Sequence, residues 1–204
     1  MIELYTAATG NGHRAAIFVA ECGLPYTVRK IDLSCDEQNS PEYLAINPAG
    51  LIPAIVDTEG PGGSAFTVVQ SGAIVLYLAE KVGKYLPADL EKKALVMQWF
   101  MQACTDVAGT NAAITLSSTR VPARSVDTIK FFEQLLLRYF GIIDQQLARQ
   151  EYLASELSIA DFALFPHFVR RKSMIVGAEL RHLQRWGAAL GARPGVIKGM
   201  TLSA

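Results

Sequence analysis

Three short stretches hold the residue types that can do chemistry. Thr9-Gly10-Asn11-Gly12-His13 lies between a short apolar run and a segment of helical spacing. Its hydroxyl, its side-chain amide and the backbone N–H groups around Asn11 and Gly12 therefore stand at the amino end of a helix, where negative charge is favoured. Gln70-Ser71 stands at a second strand-to-helix handover. The Ser71 hydroxyl and the first unpaired N–H groups there suit an anion such as a carboxylate. Ser71 can also be a helix cap, and the two roles are compatible, because capping uses one lone pair while a bound carboxylate accepts hydrogens. Ile52-Pro53 opens a strand-like run, and proline cannot donate to a ladder, so it belongs at the strand's first residue, at an edge or in a special turn.

Other chemistries find no support. Cys22, Cys35 and Cys104 are odd in number and far apart, with no C-x-x-C pair, which argues against a disulfide framework, a zinc site or a dithiol centre. His13, His167 and His182 show no ligand spacing, so no metal is assigned. Nineteen basic side chains balance nineteen acidic ones, without the excess that nucleic acid calls for. With no basic flank before an apolar stretch and no apolar run of roughly 20 residues, neither a leader nor a membrane span is expected, and the expected location is the cytoplasm.

The remaining elements must position these stretches. Half of the 204 residues are apolar and 19% are charged, enough for a sizeable core. Strands are expected at 2–5, 26–31, 51–56 and 66–69, with helices over 13–22, 41–46 and from Ser71 to about Gly83, in the order β-α-β-α-β-β-α. Beyond Pro87 the pattern is helix after helix: one from about Asp89, one over 124–150, one behind the capping box Ser158-Ile159-Ala160-Asp161, and one over 179–190 before a weakly structured tail. The class is α+β, with domains expected at 1–83 and 88–204.

Ile52-Pro53, Gln70-Ser71-Gly72-Ala73-Ile74 and Ser158-Ile159-Ala160-Asp161, in this order, resemble the cytosolic glutathione transferase family over essentially the whole chain. The opening Thr9-Gly10-Asn11-Gly12-His13 is most similar to the bacterial Nu-type members. The resemblance implies a thioredoxin-like glutathione-binding domain, an all-helical domain lining the electrophile site, a homodimer, and glutathione as co-substrate without a metal. It implies a cis Ile52-Pro53 bond, which would turn the Ile52 N–H and C=O outward to dock an extended peptide. Thr9 and Asn11 would then hold the glutathione thiolate. Gln70 and Ser71 would fix the γ-glutamyl end, and Gln38 would reach the glycyl end. Many relatives carry lysine just before the Ile-Pro pair, and here Leu51 stands in its place. Thiolate attack on a small electrophile is the leading expectation. Glutathione-dependent disulfide reduction is the alternative, since any redox sulfur would come from glutathione; a non-catalytic binding protein is the third reading.

Overall fold

The alternating burial of Ile2, Leu4 and Thr6 marks the first strand as one whose one face meets the core, and the sheet is built around it. The structure, a computed structural model, describes residues 1–202. Strand β1 (Ile2–Thr6) runs into α1 (Gly10–Cys22), which Gly23 ends in the left-handed conformation, φ 76°. Then come β2 (Tyr26–Lys30), a 3-10 turn at Glu37–Asn39, α2 (Pro41–Leu44), β3 (Ala54–Asp57), β4 (Phe66–Val69) and α3 (Ser71–Val82). The strand order is β2-β1-β3-β4. β2 is parallel to β1, with Ile2 opposite Tyr26, and β3 is antiparallel to both β1 and β4, with Ile2 opposite Asp57 and Ala54 opposite Val69. The expected order of elements is the observed one. Pro53 lies just before β3 instead of within it, so the missing N–H costs the ladder nothing.

Helices α1 and α3 pack together beside the sheet. The far end of α3 is tied to β3 through Asp57, which accepts from Tyr77 Oη at 2.7 Å and Lys81 Nζ at 2.5 Å. Burial works against the Asp57 carboxylate, yet these bonds hold its pKa below the usual range. A small cluster of Ile31, Tyr43 and Ala54, with Tyr5, Ile46, Ile52 and Val69 against it, forms a second apolar contact.

A second compact unit spans Tyr85–Gly191. It contains α4 (Leu90–Gln102), a π-helical stretch Ala103–Val107, α5 (Ala108–Thr119), α6 (Val126–Leu147), α7 (Ile159–Arg170), α8 (Lys172–Gly177) and α9 (Arg181–Gly191). The capping box forms, and its Asp161 does more than cap. Fully buried, it accepts from the N–H of Leu153 and Ser158, the Ser158 hydroxyl and Trp186 Nε1. Among the described residues no helix is long and apolar enough to cross a membrane.

The C-terminal end departs from the sequence expectation. In place of a weakly structured tail there is α10 (Pro194–Leu202), and the segment from Ala192 belongs with Met1–Lys84 instead of with the helices before it. The cause is close packing on α1. A Cβ on Gly199 would run into the backbone of Ile17, and Arg193 holds Glu21 through two hydrogen bonds of 3.0 and 2.7 Å. Glycine patterning hid this, because the missing side chain is itself the contact surface. Gly199→Ala is expected to destabilise the protein by about 1–3 kcal/mol through overpacking, read as a lower urea midpoint. An unchanged midpoint would show that α10 is not held by this approach.

Candidate functional site

The turn after β1 is fixed by two local requirements. Thr9 is the N-cap of α1, in extended geometry, and its Oγ1 accepts from the Gly12 N–H at 3.0 Å. Gly12 must be glycine, since a Cβ there would run into the Ala7 carbonyl and lie 2.8 Å from Thr6 Oγ1. The helix thus begins at Gly10, three residues before the position its apolar spacing suggested, and Asn11 belongs to its first turn. Asn11 is exposed and Thr9 half-buried. The Thr9 hydroxyl accepts in the cap and keeps its own proton to donate.

The next connection was not visible in the sequence. Arg14 is only 2% exposed, and its Nη1 donates both to Asn11 Oδ1 at 3.0 Å and to Ser71 Oγ at 2.8 Å. One guanidinium nitrogen therefore bridges the amino ends of α1 and α3. A signal was present: Arg14 lies three and four residues before the buried Ile17 and Phe18, on the helix's apolar stripe.

Ser71 is the first residue of α3 and not its cap. The N-cap is Gln70, at φ 71° and ψ 117°, with no side-chain capping bond. Non-glycine residues rarely adopt a positive φ, and such strain gathers at binding sites. The Gln70 side chain is thereby left exposed, next to a buried Ser71 hydroxyl.

A second group gathers around β3. The Ile52-Pro53 peptide bond is cis, and among the described residues neither the N–H nor the C=O of Ile52 pairs with another backbone group. The preceding carbonyl, that of Leu51, is held twice, by Tyr43 Oη at 2.7 Å and Asn47 Nδ2 at 2.5 Å. Burial pushes the Tyr43 hydroxyl up to about 12, so it remains a protonated donor. Asn47 also accepts from the Ala49 N–H, so it organises the turn. Gln38 sits in the 3-10 turn, where its Nε2 donates to Asp36 at 2.7 Å while its Oε1 is buried with no partner. That turn abuts Gly50, whose added Cβ would lie 2.5 Å from Asn39 Oδ1. Leu51 is 58% exposed.

The exposed Cys35 shares this loop. A hydrogen bond with Asp32 and the charge of that carboxylate push its thiol up, which keeps it protonated and a poor nucleophile. A separate pocket of about 310 Å³ in the second unit, lined by Tyr85, Pro87, Lys92, Leu95 and Ser155 among others, contains none of the candidate residues. Among the described residues no group of three or more His, Cys, Asp or Glu side chains is arranged to hold a metal ion.

The chain is similar to known proteins over most of its length. Residues 11–81 match the family model described as glutathione S-transferase, N-terminal domain. The disulfide-bond oxidoreductase YfcG of Escherichia coli (strain K12) is 35% identical over 171 residues, covering 81% of this chain and 78% of that one. YghU of the same organism, also a disulfide-bond oxidoreductase, is 30% identical over 97% of this chain and 73% of its own length. A glutathione transferase from Pseudomonas putida, crystallised with one glutathione disulfide per subunit, superposes with a TM-score of 0.92 at 28% identity, covering 100% of this chain and 92% of that chain.

Thr9→Val keeps the side chain's size and removes the cap. It should cost about 1 kcal/mol of stability, within the range for lost N-caps, and Thr9→Ser should restore most of it in chemical denaturation. Equal stability of all three proteins would remove the Thr9–Gly12 bond from the account of the turn.

Proposed function

Because the chain belongs to the glutathione S-transferase family, we propose that it binds glutathione on its first unit and turns the glutathione thiol into a nucleophile against a small electrophile. The observation that carries this is the set of donors at the start of α1, next to a buried hydroxyl at the start of α3. Glutathione supplies the sulfur, and the chain's work is to keep it ionised and oriented.

Each residue has a distinct task. The Thr9 hydroxyl and the Asn11 amide donate to the thiolate, with the α1 dipole behind them. The unpaired Ile52 N–H and C=O take the cysteinyl backbone as a neighbouring strand would, and Pro53 keeps that edge clear of the ladder. Gln70 and Ser71 hold the γ-glutamyl end. Gln38, whose buried oxygen lacks a partner, faces the glycyl portion. Lowering a thiol pKa by about two units requires roughly 2.7 kcal/mol of selective stabilisation. Charge-assisted hydrogen bonds contribute about 1.5–3 kcal/mol each and a helix terminus about 0.3–1, so the two side chains suffice. With leucine at position 51, that position supplies no cation to the glycyl carboxylate, which favours modest affinity.

A second reading, glutathione-dependent disulfide reduction, is favoured by the turn after β1, which has no cysteine of its own. One glutathione thiolate attacks the substrate disulfide and expels a thiolate, a second resolves the mixed disulfide, and glutathione disulfide leaves with both substrate sulfurs reduced. Two similar proteins are named disulfide-bond oxidoreductases, which supports this reading. We further read the protein as a cytoplasmic homodimer.

Calorimetry with millimolar glutathione, followed by rates on a chlorodinitrobenzene-type electrophile and on hydroxyethyl disulfide, tests the proposal. Heat and turnover are expected, and the faster substrate decides between the two chemistries. No heat would sink glutathione binding, and heat without turnover of either substrate would leave only a binding protein. Asn11→Ala should lower kcat by about tenfold or more and change glutathione affinity by less than about threefold, because its bond strengthens as the sulfur ionises. An unchanged kcat would take Asn11 out of the mechanism.

A further inference from the structure

We propose that Arg14 is a positioning residue that sets the donor polarity of both ends of the glutathione site; this rests on the functional reading above. An asparagine amide has two ends of nearly the same shape, one accepting and one donating, and an exposed amide is free to turn either toward a ligand. Arginine has donors and no acceptor. With Arg14 Nη1 3.0 Å from Asn11 Oδ1, the amide oxygen is committed inward and the NH₂ group is presented outward, the orientation that a thiolate requires. The same nitrogen gives its other proton to Ser71 Oγ at 2.8 Å. That hydroxyl already has a donor, so its own proton is left for an incoming carboxylate.

Burial makes the arrangement effective. At 2% exposure the guanidinium is shielded from bulk water, so its charge is felt at Asn11 and Ser71 more strongly than a surface cation's would be. Its hydrogen bond also polarises the Asn11 amide and strengthens the N–H on the far side. Arg14 thus acts through the side chains that meet the ligand. Among the residues given a role here it is the one bonded to both the thiolate-holding turn and the γ-glutamyl-holding turn.

Three measurements on Arg14→Met test this. In the ligand-free protein, NMR relaxation of the Asn11 side-chain amide should report an ordered group in the native chain and a mobile one in Arg14→Met. Equal order in both overturns the proposal whatever the fate of glutathione binding. With glutathione saturating, the acid limb of the kcat–pH profile should move up by about one unit in Arg14→Met, a tenfold loss on that limb, with less loss on the alkaline plateau. Asn11→Ala, costing about tenfold in the native background, should cost less than about threefold once Arg14 is gone. A profile that only scales down at every pH, or an Asn11→Ala factor that ignores the background, overturns the proposal, because a purely structural arginine behaves so. Should Arg14→Met not fold, Asn11→Ala, Ser71→Ala and their double variant serve instead. Effects on kcat/KM that depart from additivity by more than about threefold support a shared partner, and additive effects overturn it. Absence of glutathione heat in the native protein sinks the functional reading alone, since the NMR arm needs no ligand.

Discussion

A guanidinium withdrawn from water between the amino ends of two helices is the constraint around which the first unit is arranged. Burying a charge is costly unless hydrogen bonds replace its hydration. Arg14 finds such partners in Asn11 and Ser71 only if α1 begins directly beneath the end of β1 and α3 begins beside it. The first condition explains why position 12 has no side chain, and the second why Gln70 accepts a strained backbone to bring Ser71 into place. Asp57, gripping Tyr77 and Lys81 from the end of β3, anchors the opposite end of α3. The positive ends of two helix dipoles and one buried cation then share a small region, which is an environment suited to an anion.

The second unit shows by contrast what a purely structural polar cluster looks like. Asp161 is as deeply buried, and burial pushes its carboxyl up against the pull of four donors from its own chain. Every one of those bonds is internal. Around α1 and β3 the accounting differs. Thr9 retains a proton, the Asn11 amide retains both of its own, Ile52 retains a backbone donor and acceptor, and Gln38 retains a buried oxygen. Capacity left over in a preorganised setting separates a binding surface from a scaffold.

The sequence carried the order of strands and helices in the first unit because each strand is short, bounded by glycine or proline, and followed by a clear helical period. Ile52-Pro53 and Gln70-Ser71 were legible because proline and a strand-to-helix handover leave strong local marks. Arg14 was not. A charged residue in a helix is ordinarily solvated; its place on the apolar stripe hints at burial, but that it joins two helices depends on Ser71, 57 residues away. Tyr43 was missed for the same reason, its hydroxyl serving the Leu51 carbonyl across a loop. The final helix was hidden because Gly191 and Pro194 read as the end of helical structure, although at Gly199 the close approach to the Ile17 backbone requires the absence of a side chain. Local rules find the elements, and long-range hydrogen bonds and close approaches decide what the elements hold.

The proposed role of α1's first turn is to keep a bound sulfur ionised. When the ultraviolet thiolate absorbance of glutathione bound to the native protein is titrated, the thiol pKa is expected about two units below the roughly 8.5 of a free thiol; a bound thiol that titrates as it does in water would show that the turn does not ionise it.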